Sequence, residues 1–177
     1  MDPSIRYKMI PQKLTNCLYE FQQEGVQFVI EHHGRALVAD EMGLGKTVQA
    51  IAAAAAFREA WPVLIVVPAV VKLNWVDELE MWLNEIEPGQ IHVVRGRNDL
   101  SDWKASKIKF VVATYGLFTK SSAVAKDIAN HEFQFVIMDE SHYLKSQSAA
   151  RTQLLAPIIK LSKHAVLLSG TPALARP

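Results

Sequence analysis

The stretch "VADEMGLGKT", Val38 to Thr47, decides how this sequence is read. A phosphate-binding loop has the form G-x-x-x-x-G-K-[ST] between a strand and a helix. Counting back from Gly45, the first glycine of that form falls on Asp40. The stretch is therefore either a loop that cradles phosphate or a turn ending in Gly-Lys-Thr. Its other residues suit the first alternative. Gly43 and Gly45 let the backbone bring its N–H groups close to a ligand, and Lys46 adds a full positive charge. Thr47 offers a hydroxyl suited to hydrated Mg²⁺. The whole loop, Asp40, Glu41, Met42, Gly43, Leu44, Gly45, Lys46 and Thr47, is the expected nucleotide contact.

The flanking sequence supplies the context that such a loop needs. Arg35 to Ala39 is a short apolar run, and the Ala-rich segment from about Lys46 to Ala60 predicts a helix, whose positive end faces the loop. Upstream, Leu18, Phe21, Gly25, Phe28 and Val29 recur at helical spacing, with Gly34 closing the helix. Downstream, Val63 to Val67 is a continuous β-branched run stopped by Pro68, as in a strand buried on both faces. Trp75, Val76, Leu79, Trp82, Leu83 and Ile86 form a helical stripe, read as core rather than as a platform for stacked bases. Further strand-like runs are Ile91 to Val94, Ile108 to Ala113, Phe133 to Met138 and Ala165 to Leu168. A helix from about Ser148 to Leu161 precedes the last, with Pro157 expected to kink it or mark its end. Strands alternating with helices predict an α/β fold with a parallel sheet flanked by helices on both faces. Ligands of such sheets sit beyond the C-terminal ends of the strands.

Polar residues gather at those ends. After "FQFVIM" comes "DESH", Asp139 to His142. Asp139, at a strand tip, is placed to hold Mg²⁺ through water, and Glu140 is a candidate general base for a water attacking a γ-phosphate. His142 is a candidate for coupling this turn to its neighbours by hydrogen bonding. After "AVLL" comes "SGTP", in which Ser169, Gly170 and Thr171 form a tight turn able to sense the adjacent site. Gln22, in "YEFQQEG", carries an amide that donates and accepts together, as an adenine edge requires.

Composition narrows the class further. The 177 residues suit one domain. Lys plus Arg number 19 against 18 Asp plus Glu, so a polyanion would have to be met by a local patch. Cys17 is the single cysteine, which excludes an intramolecular disulfide and points to a reducing, intracellular setting. The apolar runs "VLIVVPAVV" and "AIAAAAAF" are too short to cross a bilayer, so no membrane partner is expected.

In order along the chain, "FQQEG", "DEMGLGKT", "VVP", "ATY", "DESH" and "SGTP" resemble the first motor lobe of the Swi/Snf-type ATPases of helicase superfamily 2. The resemblance covers residues 18–177 and leaves 1–17 as a lead-in segment. "DESHYLKS" and "SGTPALARP" look most similar to the annealing-helicase, HepA-related branch. It implies a RecA-like P-loop NTPase lobe that binds ATP and Mg²⁺, acts on double-stranded or branched DNA in the nucleus, and meets replication-fork proteins. In this family Asp commonly replaces the first loop glycine, so Asp40 fits. The resemblance assigns Gln22 to adenine, the loop to phosphates, Thr47 and Asp139 to the metal, and Lys46, Asp139 and Glu140 to catalysis. Ser169, Gly170 and Thr171 would link nucleotide state to DNA grip. Pro68, Ala69, Thr114 and Tyr115 match positions that touch the DNA backbone, although Thr114 and Tyr115 read equally well as strand capping. The family pattern also leads us to expect a second RecA-like lobe beyond Pro177, with an arginine finger worth about 10³ to 10⁵ in rate. Without it, turnover should be weak or absent. Two other readings stay open: an RNA-remodelling DExH relative, and a single-lobe module that binds nucleotide or DNA without hydrolysis.

Overall fold

Five consecutive apolar residues, Val63–Val67, form strand β2 and are all buried. That pattern requires cover on both faces, and the architecture supplies it. The computed structural model describes residues 1–97, 99, 107–120, 122–144, 146 and 149–170. In chain order its main elements are α1 (Pro3–Lys8), α2 (Gln12–Cys17), α3 (Glu20–Glu31), β1 (Arg35–Val38), α4 (Lys46–Ala56), β2, α5 (Lys72–Trp82), β3 (Ile91–Val93), β4 (Phe110–Thr114), α6 (Ala123–Asn130), β5 (Phe135–Met138), α7 (Ala150–Leu161) and β6 (His164–Leu168). The six strands form one sheet in the order β1-β6-β5-β2-β4-β3, with every neighbouring pair parallel.

Alternate residues of each strand enter two separate cores. Val63, Ile65 and Val67 of β2 pack with the apolar faces of α3, α4 and α5, together with Phe110, Phe135 and Val166. Leu64 and Val66 face the other way, with Val111, Val136 and Met138, against α6 and α7. Helix α4 lies deepest. Its run Ala52–Ala56 is buried throughout, and small side chains let it pack against both α3 and α5. The lead-in is part of the same body, since Ile10 and Leu14 join the core beneath α3 and α4.

Local chemistry moves several expected boundaries. Helix α4 stops at Ala56 rather than Ala60, because the backbone turns out of the helix at Phe57 (φ −125°, ψ 45°). The Phe57 ring then packs between Phe135 and His164. A separate short turn covers Arg58–Ala60. Helix α3 presents Gln22, Val26, Val29 and Ile30 to the core, whereas Phe21 and Phe28 are exposed. It ends in a Schellman motif: His33 N donates to Ile30 O at 3.0 Å and Gly34 N to Val29 O at 2.8 Å. Helix α5 stops at Trp82, and Leu83 and Ile86 are buried from the turn that follows. Strands β4 and β5 begin at Phe110 and Phe135; Ile108 and Phe133, expected to lie within them, are buried just ahead of them. Pro157 lies inside α7, which runs on to Leu161. Burial of Leu155 and Ile158 on either side of it outweighs one missing helical hydrogen bond. Helix α6 had no counterpart in the sequence reading; its Ser122 cap accepts from Ala125 N at 3.2 Å.

Register sets where function can sit. Val67 pairs with Thr114, Met138 lies one residue short of that level beside Val66, and Val38 pairs with Leu168. The loops after β1, β2, β4, β5 and β6 therefore leave from one edge of the sheet. Among the described residues no helix is long and apolar enough to cross a membrane.

Candidate nucleotide-binding site

The loop between β1 and α4 is shaped by its own lysine. Lys46 is nearly buried, and its Nζ donates to the carbonyls of Asp40 and Glu41, both at 2.8 Å. An ammonium has three hydrogens, so one remains to face outward. Gly45 caps α4 with φ 74° and ψ 40°, in the left-handed region. A Cβ there would collide with the amide of Gln22, so both the backbone conformation and the close approach require glycine. No acidic side chain lies in the first turn of α4 and no side chain caps it. Its N–H groups and positive end are thus left for an external anion.

Asp40 has a structural role that glycine could not fill. Its carboxylate accepts from Gln49 Nε2 at 2.7 Å, which ties the start of the loop to the first turn of α4. Gln49 is 1% exposed and lies against Gly25 of α3, where a Cβ would overlap its side-chain oxygen. Gln22 braces the other side. Its Oε1 accepts from Tyr19 N at 2.9 Å, and its Nε2 donates to Leu44 O at 3.0 Å. It lies beneath the loop, with its amide oriented by two backbone partners.

Strand β5 delivers the carboxylates. Asp139 Oδ2 accepts from the indole Nε1 of Trp75 at 2.9 Å, and Oδ1 from the backbone N–H of Glu140 at 2.9 Å. Burial pushes the Asp139 carboxyl above its usual range, while these two donors and the Lys46 charge pull the other way. Glu140 has φ 50°, a backbone conformation uncommon outside glycine. Its Oε2 lies 3.1 Å from His142 Nδ1 and accepts a long hydrogen bond from Gly170 N at 3.4 Å. Gly170 brings the third loop in. A Cβ at this position would lie 2.7 Å from Met42, 3.5 Å from Glu140 and 3.6 Å from Lys46 Nζ. Ser169 is buried behind it, with its N–H on Val38 O at 3.1 Å. Thr171 lies outside the described residues.

These loops enclose an open cavity of about 410 Å³, bordered by Gly43, Gly45, Lys46, Thr47, Asp139 and Glu140. Glu78 and Trp82 of α5 form its far wall. The donor set fits a nucleotide with Mg²⁺: a buried amine with a spare hydrogen, an uncapped helix start, a hydroxyl and two carboxylates. Among the described residues no group of three or more His, Cys, Asp or Glu side chains could hold a metal alone. Mg²⁺ commonly takes one or two carboxylates plus phosphate oxygens and water, which this set can provide.

The four expected DNA positions stand at the ends of β2 and β4. Pro68 and Ala69 open the short turn into α5. Tyr115 is buried; its hydroxyl donates to Asp139 O at 2.7 Å and its ring stacks on Tyr143 at 5.0 Å. Burial and the neighbouring carboxylates push that phenol well above its usual range. A backbone contact with DNA here would fall to Thr114 and the main chain. Sequence reasoning missed three partners: Trp75, Gln49 and the Tyr115 hydroxyl. One signal was available, because a buried indole N–H needs an acceptor.

Comparison with known proteins shows the family and the fold. A family model described as the SNF2-related domain matches residues 21–175. The DNA annealing helicase and endonuclease ZRANB3 of Mus musculus is 46% identical over 169 residues, covering 95% of this chain and 16% of that protein. The SWI/SNF-related matrix-associated actin-dependent regulator of chromatin subfamily A-like protein 1 of Xenopus tropicalis is 42% identical over 176 residues, covering 99% of this chain and 18% of that protein. The chain thus spans under a fifth of the length of these relatives. Among solved structures, the Sulfolobus solfataricus SWI2/SNF2 ATPase core in complex with dsDNA shares the fold with a TM-score of 0.74 at 24% identity, over 88% of this chain and 32% of that one. The Sulfolobus solfataricus SWI2/SNF2 ATPase core domain gives 0.64 at 26% identity, over 86% and 31%.

Proposed function

Because the chain belongs to the SNF2-related domain family, matched over residues 21–175, we propose that it is the ATP-binding lobe of a DNA-dependent translocase. In that reading the protein remodels or rewinds double-stranded or forked DNA, using ATP cleavage to ADP and phosphate once a second RecA-like lobe closes on this one. The names of its relatives, an annealing helicase and a regulator of chromatin, support DNA as the partner and a nuclear location, with replication-fork proteins nearby. The observation that carries the reading is the meeting of three loops at Gly170, whose Cβ position lies within 3.6 Å of both Lys46 Nζ and Glu140.

The residues divide the work as follows. The backbone N–H groups from Gly43 to Thr47 and the start of α4 hold the phosphates. The amine of Lys46, held by its two carbonyl partners, turns its remaining hydrogen to the phosphate oxygens and offsets the charge that builds on them. Gln22 keeps the loop in shape through Leu44 and has one further amide hydrogen for the adenine edge. Thr47 and Asp139 would hold Mg²⁺, which when bound supplies charge neutralisation across the phosphates. Glu140 orients a water for in-line attack on the γ-phosphate and takes its proton. Through the Glu140 carboxylate, His142 and Gly170 sense the same water, and Ser169, Gly170 and Thr171 pass that state toward DNA. Pro68, Ala69 and Thr114, with the main chain at Tyr115, grip the DNA backbone without reading sequence.

The test is ATP turnover by the full-length protein with duplex DNA, with RNA and with neither. Glu140→Gln should lower DNA-stimulated turnover by about 10² to 10⁴ while nucleotide still binds. Lys46→Ala should weaken both binding and turnover. DNA-stimulated turnover retained by either variant would remove these roles, and stimulation by RNA alone would replace DNA as the partner.

A further inference from the structure

Helix α5 carries two buried or half-buried indoles on one face, and each donates to a carboxylate. Trp82 Nε1 reaches Glu78 Oε2 at 2.9 Å, within the same helix. Trp75 Nε1 instead crosses to another element and meets Asp139 Oδ2 at 2.9 Å. Trp75 is 1% exposed, and its ring is held by the core beneath α3 and α4. The other oxygen of Asp139 is fixed by the Glu140 N–H. Each carboxylate oxygen therefore has one defined donor, and the plane of the group is set from both sides.

We propose that Trp75 is a positioning residue that orients the Asp139 carboxylate toward Mg²⁺, so that α5 is part of the metal site as well as a wall of the cavity. An indole N–H suits this task because it donates only, never titrates, and cannot bind the cation itself. With one lone-pair side of Oδ2 occupied by Trp75, Asp139 turns its remaining lone pairs to the cavity, where it can hold a hydrated ion without chelating it. The inference rests on the nucleotide reading above. It also predicts an asymmetry: the contact should matter to the metal-bound nucleotide and not to the nucleotide alone.

The experiment measures the affinity of the full-length protein for a non-hydrolysable ATP analogue, with Mg²⁺ and in its absence, together with the thermal midpoint. Trp75→Phe keeps an aromatic ring and removes the N–H. It should lower affinity with Mg²⁺ by about tenfold or more, as expected when a hydrogen bond to a buried charge is lost, and leave metal-free affinity unchanged. If Trp75→Phe unfolds the protein, 3-benzothienylalanine at position 75, which keeps the bicyclic shape without the N–H, is measured instead. Equal losses with and without Mg²⁺, or no loss in either, would overturn the inference and leave Trp75 as core alone. A wild-type protein that gains no affinity from Mg²⁺ would overturn it too, whereas one that binds the analogue under neither condition would overturn the nucleotide reading as well.

Discussion

The two ends of the sheet use the same strands for opposite purposes. At the C-terminal end the chain accepts local instability: a carboxylate pushed up by burial at Asp139, a left-handed Glu140, and a helix start without a cap. At the N-terminal end the polar groups close on the chain's own carbonyls and rings. Arg35 donates to Ser162 O at 2.7 Å and Ile159 O at 3.2 Å. Arg6 lies over the Phe57 ring at 4.1 Å and pairs with Glu59 at 2.7 Å. His164 sits 4.4 Å from Phe57 and 2.6 Å from His33 O. The parallel sheet explains the division, since it sends the following helices' positive ends to one edge only. One end holds the lobe together so that the other can stay open to a ligand.

Two glycines with the same backbone angle put that division under the largest strain. Gly34 and Gly45 both have φ 74°. A Cβ at Gly34 would lie 2.8 Å from His164 Nδ1, and that ring is wedged against Phe57 and Phe135. Left-handed strain of about 1–2 kcal/mol and overpacking of about 1–3 kcal/mol should make Gly34→Ala costly, lowering the thermal midpoint by several degrees. Nucleotide affinity, measured well below that midpoint, should be unchanged. Gly45→Ala should do the reverse in emphasis, because its Cβ meets the Gln22 amide that supports Leu44. Nucleotide binding should fall more than stability does. If Gly34→Ala weakens binding as strongly as Gly45→Ala, the two ends are not independent.

The sequence made the open end far more legible than the closed one. Glycines, a lysine and paired carboxylates placed after apolar runs mark strand ends, and register then brings them together. The six strands are readable as short apolar runs, of which Val63–Val67 is the most β-branched. What could not be read is pairing across the chain. Strand order, the contact of Gln49 with Asp40, and that of Trp75 with Asp139 link residues whose chemistry alone names no partner. The exposed face of α3 was equally hidden, since Phe21 and Phe28 have core-like side chains yet are exposed, while the polar Gln22 is buried.

Asp40 tests whether the open end is itself braced. Asp40→Gly restores the textual glycine and removes the acceptor of Gln49 Nε2. A buried amide left without its partner should destabilise the lobe by about 1–3 kcal/mol, with a severalfold loss of nucleotide affinity. Adding Gln49→Leu to that variant removes the unpaired amide and should return part of the stability but not the affinity. Denaturant midpoints around this double-mutant cycle give the coupling directly. A cycle with no coupling would mean that Asp40 acts only through its backbone.

The smallest expected effect lies at the closed end and appears only as a slope. Burial holds the His164 imidazole below its usual value of 6.5, helped by Lys163 and Arg6 and opposed by the His33 carbonyl and Glu59. Its folded pKa is thus lower than its unfolded one, so unfolding takes up a proton over the interval between them. Its contribution to stability is complete above about pH 6.5 and declines as pH falls through that value toward the folded pKa. His164→Asn keeps an N–H for His33 O but cannot titrate there. The variant should be less stable than wild type at pH 7.5, with a shallower loss between pH 7.5 and 5.5 in urea unfolding. An unchanged slope would show that His164 does not carry the acid sensitivity. A change in nucleotide affinity at pH 7.5 would show that the ring transmits across the sheet, and so would break the separation of ends from the side where it is least expected.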